Sequence, residues 1–233
     1  MWRSFVRRMT LAQKLVLLIS FLTFGTVLLF TLSGVMNQKK STLQGIDDKL
    51  HTCAYGARLL IEPFQLTLME GKKADQEECN RINDLLSSYC KEIGVRYIYA
   101  MVEQADTIKF TASSYTDEEK KNNDTTALYE VYEDPSKELV ASFKDGKIHY
   151  DSYQDKWGRF RSVFIPIDLP NGGRYVIGAD FQLTEINKML WHNIMQSVVL
   201  GAFLFILAVT GGFLLVKPIT RHIATIAERV KRI

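Results

Sequence analysis

Two long uncharged apolar stretches, residues 15–36 and 190–216, constrain this chain more than any other feature. Each exceeds the roughly 20 apolar residues that carry a helix across about 30 Å of hydrocarbon. The pattern predicts two membrane spans, 15–36 and 193–216, enclosing one domain at 37–192. Lys and Arg resist translocation, so short basic flanks stay in the cytoplasm. Arg3, Arg7, Arg8 and Lys14 precede the first stretch with no acid among them; Lys217, Arg221, Arg229, Lys231 and Arg232 follow the second with only Glu228 opposing. Segments 1–14 and 217–233 are therefore expected in the cytoplasm, and the enclosed domain outside it. The net charge of +3 belongs to those flanks, and no nucleic-acid partner is expected. A cleavable signal peptide is disfavoured, because the apolar run is too long and no small-x-small site follows Met36.

Between the stretches the hydrophobic period changes from helical to alternating. Leu43, Ile46, Leu50, Cys53, Ala57, Leu60 and Ile61 recur at three- and four-residue steps, extending the first helix beyond the membrane. Pro63 is expected to kink or interrupt it. A second helix is predicted over 76–93, with Ile82, Leu85, Leu86, Tyr89 and Ile93 inward and Gly94 as its stop. Strands follow at 95–102 and 107–114 as a hairpin, then a charged loop at 115–124 and short helices at 125–132 and 135–143. A weak strand at 148–153 and stronger ones at 159–167 and 174–181 complete the set, with helix from Leu183 into the second span. The expected fold class is α+β, an antiparallel sheet with one face under a long N-terminal helix.

Cys79 and Cys90 fall on one predicted helix, about 16 Å apart by helical rise, which excludes a bond between them. Either Cys53 pairs with one of them or all three are buried thiols. No close metal-ligand spacing and no glycine-rich phosphate loop occurs, so no metal or cofactor is expected. His51, His149, His192 and His222 are scattered, and no Ser or Cys sits in a nucleophile motif. No enzyme activity is expected of this segment.

The run from Tyr153 to Ile167, containing Trp157, Gly158, Arg161, Ser162 and Pro166, is followed by Asn171-Gly172-Gly173 and then by Tyr175, Gly178 and Asp180. It resembles the C-terminal half of a single Cache domain, the PAS-like extracytoplasmic sensor module of bacterial chemoreceptors, sensor kinases and diguanylate cyclases. The strands bearing Tyr97 and Tyr99, and Phe110 to Ser114, are similar to that family's first hairpin. After the second span, Ile219, Ile223, Ile226, Val230 and Ile233 step by four and three. This a/d seam resembles the first helix of a HAMP linker, which implies a homodimer and an output domain beyond residue 233. The resemblance implies the sensing part of a chemoreceptor in the bacterial inner membrane, with a periplasmic domain; the alternative is the same part of a histidine kinase or diguanylate cyclase.

Strand alternation sorts the sheet into two surfaces. Ile98, Ala100, Phe110, Ala112, Val163, Ile165, Tyr175, Ile177 and Ala179 suit the face beneath the long helix. Tyr97, Tyr99, Met101, Lys109, Thr111, Ser113, Ser162, Phe164, Val176, Gly178 and Asp180 form the other, whose aromatic and polar mixture suits a pocket for a polar or anionic metabolite. Asp180 either contacts a ligand, as the resemblance implies, or caps the helix from Leu183. Trp157 and Arg161 belong to the family-like run. Arg161 either binds a carboxylate bidentately or, following its apolar-face parity, pairs with an acid. Tyr129 and Tyr132 either close the pocket as a lid or pack on the sheet. The expected ligand residues are thus Tyr97, Tyr99, Ser113, Tyr129, Trp157, Arg161, Ser162, Phe164 and Asp180.

Overall fold

Helix α1 (Leu11–Met69) runs unbroken from the first apolar stretch to the sheet. The computed structural model describes residues 10–69, 76–155, 157–170, 172–183, 191, 194–212, 214 and 216. Of the helix expected from Leu183 into the second span, Leu183 and residues 194–212 are helical, and residues 184–190 fall outside the described residues, as do most of the basic flanks and the HAMP-like seam. Of the two expected effects of Pro63, interruption does not occur: Pro63 lies inside α1 and does not end it. Its ring is exposed, while Ile61, Phe64 and Gln65 around it are buried. Packing of that inner face offsets the lost backbone bond.

Helix α2 (Gln76–Ile93) matches its expected bounds and ends at Gly94, whose φ of 65° closes the last turn. Strands β1 (Tyr97–Gln104) and β2 (Thr107–Ser113) form the hairpin, turning through Ala105 and Asp106, both at positive φ. The expected charged loop contains a short helix, α3 (Asp117–Lys121). Its capping box is reciprocal: the Thr116 side chain accepts from Glu119 N–H, and the Glu119 carboxylate accepts from Thr116 N–H. Helix α4 (Lys137–Asp145), capped by Ser136, precedes β3 (His149–Asp155), β4 (Gly158–Asp168) and β5 (Arg174–Gln182).

The helix expected at 125–132 is absent. This segment instead runs along the outer edge of β2: Phe110 N–H donates to Glu130 C=O at 2.9 Å, and Tyr129 and Tyr132 N–H donate to Phe110 and Ile108 C=O. An uncovered strand edge needs such partners more than this short stretch gains from helix formation.

The five strands form one antiparallel sheet in the order β2-β1-β5-β4-β3. One face packs beneath α1 and α2. Leu50, Ala54, Ala57, Ile61 and Phe64 of α1 and Ile82, Leu86 and Cys90 of α2 meet Ile98, Ala100, Val163, Ile165, Ile177 and Ala179. Leu85, expected inward, is exposed. Cys53, Cys79 and Cys90 are buried free thiols in this layer. The fold is thus α+β with a long N-terminal helix over an antiparallel sheet.

The chain divides into two compact units, Ser41–Asn187 and the pair Met1–Lys40 with Lys188–Ile233. In the second, the apolar part of α1 packs with helix α5 (Ile194–Gly212) through an edge-on Phe24–Phe205 contact. Gly201 lets Val27 and Thr31 approach closely. Both helices are long and apolar enough to cross a membrane. Their apolar side chains point outward, Phe21 being 72% and Phe30 82% exposed.

Candidate functional site

The sheet's second face is set by a bulge that simple alternation overlooks. Tyr99 pairs with Ser113 and Ala100 with Ala112, but Met101 pairs with Phe110, leaving Thr111 as the extra residue. An inserted residue reverses the facing of everything beyond it on that strand. Phe110, expected beneath the long helix, therefore lies on the opposite face beside Tyr99 and Met101, with Ile108. Thr111, expected there, turns to α1 instead, where Gln65 Nε2 donates to its hydroxyl at 2.7 Å. Lys109 moves with it, opposite the helix-facing Val102.

The excursion between β2 and β3 covers this face. Leu139 and Phe143 of α4 pack against it. Asn83 and Ser87 of α2 fix the excursion's start, accepting the N–H groups of Ser113 and Tyr115. A small cavity, open on one side to solvent, remains between cover and sheet. Tyr97, Tyr99, Met101, Phe110 and Ser113 come from the hairpin; Ser114, Tyr115, Glu119, Asp124, Thr126 and Tyr132 from the segment that follows. Tyr153, Asp155, Trp157, Phe160 and Asp180 close the other side.

Three tyrosine hydroxyls donate to three carboxylates around it. Tyr97 reaches Glu119 at 2.6 Å, Tyr99 reaches Asp180 at 2.9 Å, and Tyr132 reaches Asp155 at 3.0 Å. The other oxygen of Asp155 accepts the N–H groups of Trp157 and Gly158, which positions the indole. Gly178 is required by Tyr99, because a methyl group there would overlap the Tyr99 ring. Rings line the walls: Phe110 meets Tyr132 at 5.5 Å and Trp157 at 6.2 Å, and Tyr132 meets Trp157 at 5.9 Å.

Asp180 is 3% exposed, at the centre of the sheet between Tyr97 and Ser162. Burial pushes its carboxyl up to about 7, an effect that the facing Ser162 and Tyr99 hydroxyls reduce and the Asp155 charge reinforces. Ser162 Oγ is buried beside it without meeting hydrogen-bond geometry. Burial also holds the Tyr99, Tyr132 and Tyr153 phenols above the usual tyrosine range.

Of the expected ligand residues, the structure brings Tyr97, Tyr99, Ser113, Trp157 and Asp180 to the cavity wall. Ser162 and Phe164 lie behind it on the same face, Phe164 against Tyr153. Tyr129 is not on the wall; at φ 62° it packs with the helix-side core. Arg161 is also elsewhere. Its guanidinium makes a bidentate pair with Asp47 of α1, both bonds at 2.7 Å, so the carboxylate it was expected to bind is one of the protein's own. Sequence reasoning missed Phe110, Glu119, Asp124, Tyr153 and Asp155. The Asp155-x-Trp157-Gly158 sequence, an acceptor preceding two turn N–H groups, was a readable signal for Asp155.

No family model and no curated protein matches the chain. Among solved structures it is similar to the E. coli DcuS sensor domain, at 12% identity and a TM-score of 0.45, covering 68% of this chain and 98% of that one. It is also similar to the ligand-binding domain of the Campylobacter jejuni chemoreceptor Tlp3 in complex with L-valine, at 16% identity and a TM-score of 0.43, covering 72% and 66%. Both neighbours are bacterial sensor domains. At such identities nothing about their ligands transfers to this chain.

Proposed function

We propose that residues 37–192 are the extracytoplasmic sensor domain of a bacterial transmembrane receptor of the chemoreceptor kind, and that the cavity binds a small solute. The cavity carries this reading: aromatic walls, a few convergent polar groups and a partly open mouth are what a small-molecule site needs for desolvation and orientation. The outward-facing apolar side chains of residues 15–36 and α5 support membrane anchorage on both sides of the domain. In this reading, ligand binding favours one of two packed arrangements of a homodimer, and the second span conveys the change to the HAMP-like seam and its output domain.

A thermal-shift screen of the full chain in detergent micelles, against amines, amino acids, organic acids and purines, tests it. A ligand bound only by the folded state raises Tm as its concentration passes Kd. A selective, saturable shift is expected from one chemical class. A folded protein that responds to none of them contradicts the reading.

A further inference from the structure

Among the described residues the charge on the cavity wall is one-sided: Glu119, Asp124, Asp155 and Asp180 line it, with no described Lys, Arg or His beside them. Among the described residues, Arg96 lies over the Tyr97 ring, and Lys120 lies over the Tyr115 ring and donates to its hydroxyl at 2.7 Å; neither cation lines the cavity itself. Arg96 is exposed, and Lys120 is held by Asp84 at 2.9 Å. An anionic ligand would enter against the field of these four carboxyl groups. A zwitterionic amino acid would satisfy its amine but find no described cation on the wall for its carboxylate, a costly arrangement for a buried charge.

The aromatic groups favour the opposite sign. Phe110, Tyr132 and Trp157 contact one another in edge-on and tilted geometries, forming a three-ring corner. Tyr99 adds a fourth ring, edge-on to Phe110 at 5.8 Å. Such rings attract a cation through their negative faces. The hydroxyls of Tyr132 and Tyr99 each donate to a carboxylate, which leaves their rings richer in electron density. Asp155 thus acts twice, through direct charge and through the Tyr132 ring that it polarises.

We propose that the cavity takes a small organic ammonium ion without a carboxylate, selected by the juxtaposition of the Phe110, Tyr132 and Trp157 rings with Asp155 and Asp180. This deepens the sensing reading above and depends on it. Methylated ammonium groups suit such a corner best, since they offer a charged but weakly hydrated surface to ring faces and need no specific hydrogen-bond acceptor. Primary amines would gain a direct bond to Asp155.

The test uses the full chain in dodecyl maltoside micelles, which carry neither charge nor a choline headgroup. The probes are tetramethylammonium, choline, the uncharged choline isostere neohexanol, succinate and L-alanine, followed by thermal shift and calorimetric titration. Tetramethylammonium or choline is expected to bind saturably, with neohexanol weaker by about tenfold or more. Asp155→Asn and Trp157→Ala should each weaken cation binding by about tenfold or more, while Asp47→Asn, on the helix side, leaves it unchanged. Circular dichroism and the ligand-free Tm of each variant establish that it is folded. Neohexanol binding as tightly as choline overturns the charge selection. Succinate or alanine binding that requires Trp157, with no ammonium response, overturns the inference and preserves the sensor reading. A folded protein that responds to no probe overturns both.

Discussion

The two faces of the sheet are built from the same five strands and do opposite things. The helix-side face is filled by aliphatic side chains from α1 and α2 and is pinned at one edge by the Arg161–Asp47 clamp. The cavity-side face is covered by an irregular segment and lined with rings and carboxylates that leave space. One face stores stability, whereas the other keeps a buried acid, Asp180, in an environment unfavourable to its charge. Stability and binding are therefore expected to respond to different substitutions.

The strongest separation should come from Ile177→Ala, which empties a fully buried position on the helix side. It should cost about 2–5 kcal/mol by chemical denaturation while probe affinity in the folded protein is retained. Parallel loss of affinity would show that the faces are coupled.

Asp180→Asn sharpens the contrast through pH. The Asp180 carboxyl is raised from 3.8 to about 7 on folding. Below its unfolded value both states hold the proton. As pH rises toward 7 the unfolded chain releases it first, so the folded state loses stability over that interval. Tyr99, Ser162 and Asp155 are the groups facing it. Removing the acid should flatten this decline, making the ligand-free variant more stable at neutral pH by an amount on the order of a few kcal/mol at most. Melting curves across pH 4 to 8, roughly the interval between the two titrations, check this; an unchanged pH profile would show that Asp180 is not a stored cost.

Gly178→Ala should act on both faces of the account, costing about 1–3 kcal/mol through overpacking and displacing Tyr99 from the wall. Retained affinity would remove Tyr99 from the site. Arg161→Ala should be mildest, about 1 kcal/mol, because the pair is partly exposed and binds no ligand. A loss of ligand affinity without a loss of stability would return Arg161 to the binding role its sequence context suggested.

Parity made the helix-side face legible from sequence wherever strands run regularly. Val163, Ile165, Ile177 and Ala179 lie where alternation puts them, and even Arg161 obeys it. Alternation failed at one residue. The Ala100/Met101 register shift exchanges Phe110 with Thr111, and nothing in the composition of β2 announces a bulge. The excursion was harder still. Its path at 129–132 is dictated by the unpaired edge of β2, a tertiary demand invisible to local propensity. Glu119 shows the same limit, since its capping-box spacing is readable but its bond to the Tyr97 hydroxyl is not. Tyr99 and Asp180 were legible because they sit on central strands with regular pairing.

The central claim is that the cavity face binds a ligand, and Trp157 offers the most direct measurement of it. Trp2 and Trp191 can be replaced by Phe, leaving Trp157 on the wall as the sole indole. Titrating this full-length variant with choline, L-alanine and succinate should give a saturable change in Trp157 emission for one ligand class, with choline producing it if the charge selection holds. Saturable calorimetric binding with Trp157 emission unchanged, or no response to any class from a folded protein, would contradict the account.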